Sequence, residues 1–125
     1  MPTFCRRANI SFMQHQMKLG HEPFCAIKEG RKTIESRLYD EKRQQITVGD
    51  EIIFSENDHP ENTVRAKVVN LLRHPTFKEL FVNNDSRLFG GERNQDQLLE
   101  QIKQFYSDED EQKYGVVGIK ITVID

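Results

Sequence analysis

Gly30-Arg31-Lys32-Thr33-Ile34-Glu35-Ser36-Arg37 is the stretch from which the rest of the chain is read. Ahead of it, Glu22 and Pro23 followed by Phe24 and Ile27, three apart, predict a helix that closes at Gly30. Glycine tolerates positive φ, so the chain can turn sharply there and enter a strand over residues 33–39. Strand alternation puts Ile34 and Leu38 on one face and Glu35, Arg37 and Tyr39 on the other. Glu35 and Arg37 lie two apart, with Cα atoms about 6–7 Å apart, and Lys32 leaves the turn beside them. A cation, a carboxylate and a bidentate donor thus converge on one spot. Such a trio can hold a polar ring, a ribose or a phosphate, with Arg37 supplying a planar fork. The same residues also fit a structural ion pair in which Glu35 neutralises Arg37.

Working outward, residues 15–19 alternate weakly and form a first strand, while residues 1–14 lack periodicity and read as a loose N-terminal arm. Val48-Gly49-Asp50 is a turn signal feeding a short buried strand at 51–54. Residues 57–62 are polar, contain Pro60 and read as a hairpin loop. The longest strand spans 64–72, with Arg65 and Lys67 on its wet face. A short helix at 77–82 follows Pro75, and 83–93, with Gly90-Gly91, is a loop long enough to be functional. Leu98, Leu99, Ile102, Phe105 and Tyr106 share one helix face, and Ser107 with Asp110 resembles a capping box for one more acidic turn. Residues 116–124 are β-branched and make the final strand. Strands outnumber helices, so the expected product is α+β: a small, partly closed mixed β-barrel with flanking helices, built from residues 15–125 as one domain.

The composition narrows the function classes. With 125 residues, 36% hydrophobic and 30% charged, the chain supports one core and a solvated surface. No apolar run approaches the ~20 residues of a spanning helix. Arg6 and Arg7 precede a segment too short and polar for a signal peptide. Cys5 and Cys25 form no CxxC pair and read as reduced thiols of a cytoplasmic protein, without a metal or other cofactor. His15, His21, His59 and His74 are scattered and read as surface residues. The net charge of −2 is unevenly spread: residues 1–43 hold nine Lys/Arg against five Asp/Glu, the remainder nine against fifteen. A basic segment in an acidic chain suits an anion site, although a solvated face has the same composition.

The Gly30–Arg37 motif fits G-x-K-x-x-E-x-R and resembles the signature of the ASCH family of PUA-like β-barrels. The order of elements around it agrees, down to Tyr114-Gly115-Val116-Val117-Gly118-Ile119 as the closing strand. That resemblance implies an RNA or nucleotide binder, with Gly30, Arg31, Lys32, Thr33, Glu35, Arg37 and Tyr39 around the ligand and Tyr39 available for base stacking. A family member, the N4-acetylcytidine amidohydrolase, suggests the alternative of a hydrolase acting on a modified nucleoside; ribonuclease activity is a further one. That enzyme reads G-R-K-T-I-T-x-R, and Glu35 stands where its proposed nucleophilic Thr would be. An enzyme built here would instead use Glu35 or Glu92 as general base, with Lys32 as electrostatic partner.

Overall fold

The computed structural model describes residues 12–124. Most of the expected arm over 1–14, and with it Cys5, lies outside them. Five strands and four α-helices follow in the order β1 (Gln14–Leu19), α1 (His21–Lys28), β2 (Ile34–Leu38), β3 (Glu51–Glu56), β4 (His59–His74), α2 (Phe77–Val82), α3 (Gln95–Ile102), α4 (Asp108–Tyr114) and β5 (Val116–Val123). The strands form one mixed sheet in the order β1-β3-β4-β5-β2, in which β1 pairs with β3 in parallel and every other pairing is antiparallel. The sheet curls into a PUA-like half-barrel whose free edges, β1 and β2, face one another across a seam.

β4 makes the curl. Its first part pairs with β3 and its second with β5, and a bulge between Val68 and Asn70 re-aims the strand between them. The polar run with Pro60 is therefore not the loop expected over 57–62. Only a two-residue turn separates β3 from β4, and a register shift next to Glu56 accommodates the proline's missing N–H. The expected long helix face also ends early. α3 stops at Ile102, so Phe105 falls in a turn and is 72% exposed, while Tyr106 packs on Phe77 with ring centroids 5.5 Å apart. Asn94 caps α3 reciprocally with Gln97, and Ser107 caps α4 through the Asp110 N–H.

Two apolar clusters share β5. Met17, Phe24, Ile27, Ile52, Phe54 and Ile119 fill the inside of the half-barrel beneath α1. Ile34, Phe77, Leu80, Phe81, Phe89 and Leu98 form the second, between the sheet and the α2–α3 pair. Val116 belongs to one cluster and Val117 to the other, which is why the strand reads as a continuous apolar run. Gly118 lets α2 reach the sheet, because a Cβ there would sit 2.8 Å from the Leu80 side chain. Among the described residues, no helix is long and apolar enough to cross a membrane.

Asp50 pins β1 to this frame. Its carboxylate is 1% exposed and accepts from His15 Nε2 at 2.8 Å and from the backbone N–H of Met13 and Thr47, each at 3.0 Å. Burial pushes this carboxyl up, but the hydrogen bonds from His15, Thr47 and Met13 outweigh it and hold the group below its ordinary range. His15 is thus a buried partner and not the surface residue its sequence context suggested.

Candidate anion and aromatic site at the seam

The seam is built from the turn after α1. Gly30 adopts φ 81°, and the N–H groups of Arg31 and Lys32 both return to the Ala26 carbonyl at 2.9 and 3.0 Å. The loop over 83–93 then crosses the start of β2: Lys32 bridges Phe89, and the Thr33 N–H donates to the Leu88 carbonyl at 2.9 Å. Gly90, at φ 87°, lies so close that a Cβ there would stand 2.9 Å from Lys32 Cβ. The loop therefore clamps the Lys32 stem.

Glu35 is 4% exposed and stands between two cations, Lys32 Nζ at 2.8 Å from Oε1 and Arg37 Nε at 2.6 Å from Oε2. Burial alone would raise its pKa, yet the charges and hydrogen bonds of Lys32 and Arg37 lower it to about 2. Arg37, desolvated in turn, is held above its ordinary value by Glu35 and, to a smaller degree, by Tyr106. Arg37 Nη2 also donates to the Lys18 carbonyl at 3.2 Å, tying β2 to β1 across the seam. Two cations against one carboxylate leave the trio with a net positive charge, and both cations carry more N–H donors than these contacts use.

A cavity of about 470 Å³ opens on the trio. Its charged lining is Lys18, Arg31, Lys32, Glu35, Arg37 and Arg93. Its apolar and aromatic lining is Phe81, Phe89, Leu98, Ile102, Phe105 and Tyr106. Asn57 and Gln101 supply amides, and Glu22 on the rim pairs with Arg93 at 3.1 Å. A pocket of this size with a few fixed polar groups suits a single nucleotide-sized ligand.

Of the residues expected around the ligand, Arg31, Lys32, Glu35 and Arg37 meet here. Gly30 and Thr33 do not; with Ile121, Thr122 and Val123 they border a separate hollow of about 330 Å³, which Lys32 also touches. Thr33 Oγ1 is buried there without a hydrogen-bond partner. Tyr39 keeps the face of Glu35 and Arg37, whose partners on β5 are Ile119 and Val117, and its N–H continues the ladder to the Gly115 carbonyl at 3.0 Å. It lies just past the end of β2 and outside the cavity lining, on the barrel core beneath Arg73, whose guanidinium lies 3.8 Å from the ring centroid. Glu92 is exposed and lies outside the cavity lining, although Gly91 and Arg93 beside it are part of it. Phe89, Phe105, Tyr106, Lys18 and Arg93 were not legible as site residues. Phe105 and Tyr106 read as helical core, and only the early end of α3 turns them to the cavity.

The model of the ASCH domain family matches residues 17–125. The chain belongs to the ASCH domain family. This ASCH domain is similar to the crystal structure of hypothetical protein PH0355, at 38% identity over 90% of this chain and 100% of that one, with a TM-score of 0.80. It is also similar to the solution structure of protein PF0455 from Pyrococcus furiosus, at 32% identity, 90% and 99% coverage and a TM-score of 0.72. The crystal structure of ASCH from Zymomonas mobilis shares the fold, with a TM-score of 0.62 at 14% identity, covering 86% of this chain and 65% of that one. No curated protein matches the sequence.

Proposed function

We propose that this ASCH domain binds RNA or a free nucleotide at the seam. Phosphate is taken by the donors of Lys32 and Arg37 that face the cavity, and a base lies on the rings of Phe105 and Tyr106. One observation carries the reading: a nucleotide-sized cavity is lined both by two cations, fixed in place by a buried carboxylate, and by the rings of exposed Phe105 and half-buried Tyr106. Glu35 then positions its neighbours and does no chemistry of its own. A hydrolase acting on a modified nucleoside would need Glu35 or Glu92 as a base. Glu35 is engaged by two cations and held at about 2, and Glu92 lies outside the cavity, so binding is the better-supported reading. A cytoplasmic setting, where such ligands are abundant, goes with it.

The test is a fluorescence titration with cytidine 5′-monophosphate and with a labelled single-stranded hexaribonucleotide across a salt series. Arg37→Ala and Lys32→Gln each weaken binding roughly 10–100-fold, the loss of a hydrogen bond to a charged group. Glu92→Ala leaves it unchanged. Steep salt dependence identifies RNA with several phosphate contacts, and a shallow one identifies the single nucleotide. Binding that is absent, or equal in wild type and both cation variants, overturns the reading.

A further inference from the structure

Outside the seam, a second group of side chains has the geometry of chemistry. α1 places His21 and Cys25 four residues apart, one turn from each other, with Cys25 Sγ beside the imidazole, 3.7 Å from His21 Nε2 and 3.9 Å from Nδ1. The other ring nitrogen, Nδ1, lies 2.5 Å from Oε2 of Glu56, at the end of β3. Glu56 is buried, and its second oxygen accepts from Asn62 Nδ2 at 3.1 Å. The hydrogen bonds from Asn62 and then from His21 hold this carboxyl below its ordinary range, so it remains an acceptor. An ionised carboxylate on Nδ1 selects the tautomer that carries its proton there, which leaves Nε2, the ring nitrogen nearer the sulfur, as the proton acceptor. The imidazole itself is exposed, and Cys25, packed on the edge of the barrel core, is only half-buried.

This is a nucleophile, a base and an orienting carboxylate in sequence. We propose that Cys25 is a modification site, a thiol that His21 and Glu56 prepare for exchange with low-molecular-weight disulfides. His21 Nε2 takes the thiol proton as the sulfur attacks one sulfur of the disulfide. The Cys25–S bond to that sulfur forms, the original S–S bond breaks, and the departing thiolate takes the proton back from His21. Cys25 is oxidised, one half of the reagent is reduced to a thiol, and no further oxidant is needed. His59, at the start of β4, also acts on Glu56, more weakly than Asn62 and His21 do.

The experiment uses a full-length Cys5→Ser background, which leaves Cys25 as the single thiol of the chain. Oxidised glutathione is added at pH 7, and the mixed disulfide is followed by intact-protein mass spectrometry. The adduct forms at Cys25 and is absent from Cys25→Ser. His21→Gln and Glu56→Gln each slow it roughly ten-fold, as expected when a positioned base or its orienting group is lost. Circular dichroism confirms that each variant is folded. Because Glu56 is buried and His21 is exposed, His21→Gln decides the matter if Glu56→Gln is unfolded. An unmodified Cys25, or a His21→Gln rate equal to that of the parent, overturns the proposal.

Discussion

Two buried carboxylates hold the two ends of this half-barrel, and they are solved in opposite ways. Asp50 satisfies its oxygens with two backbone N–H groups and one imidazole, drawn from β1, the residue before it and the turn before β3. No cavity opens on it among those described. Glu35 satisfies its oxygens with two side-chain cations, each of which also lines the seam cavity. Both carboxyls are held below their ordinary range despite burial. A perturbed buried acid therefore does not by itself mark a site. What marks one is whether its partners keep donors that open on a cavity.

The largest effect expected from this contrast is at Asp50. Asp50→Ala leaves two part-buried N–H groups and the buried His15 without an acceptor and costs about 3 kcal/mol in urea unfolding. The folded fraction of that variant still binds nucleotide with wild-type affinity. A parallel loss of affinity in the folded fraction would break the division between a structural and a functional carboxylate.

Next comes acid. Glu35 falls from an ordinary 4.5 to about 2, so its ionised form favours the folded state. That stability is fully present above about pH 4.5 and is lost as pH falls towards 2, amounting to about 3 kcal/mol. Asp50 adds to the acid loss in the same direction. Unfolding midpoints measured between pH 7 and 2.5 fall steeply for wild type. They fall less for Glu35→Gln, which is already weaker at pH 7 because its two cations lose their partner. Identical slopes for the two proteins would show that Glu35 is not the acid-sensitive member.

The smallest effect is at Gly90. An alanine there must hold φ 87° and press on Lys32 Cβ at 2.9 Å. The expected cost is about 1–2 kcal/mol in stability. A several-fold weaker nucleotide affinity accompanies it, because the displaced stem carries the Lys32 ammonium away from Glu35. Unchanged affinity with reduced stability would assign the loop to folding alone.

The Gly30–Arg37 motif was legible because its information is local. A turn glycine and a two-residue strand spacing put Glu35 and Arg37 on one side, whatever the remainder of the chain does. The same alternation puts Tyr39 on their face but cannot tell how far the cavity extends, and Tyr39 lies beyond it, over the barrel core. Pro60 predicts a loop because nothing local reveals a register shift in β4 that tolerates a missing N–H. The aromatic lining of the cavity was out of reach. Phe89, Phe105 and Tyr106 are more than fifty residues from Lys32 along the chain. An apolar stripe at helical spacing reads as core until the helix end is known.

By itself, then, the sequence determined the mixed α+β half-barrel and its cationic turn. Turn chemistry, strand period and burial pattern act over a few residues and leave their mark in order. Tertiary structure alone decided that the turn lies against the free edge of β1 and shares its cavity with an aromatic lining. It alone decided, too, that Glu56 stands behind His21 and Cys25. Those juxtapositions follow from the bulge in β4 and the packing of α2 and α3 on β5. Both depend on long-range closure, which no window of sequence contains.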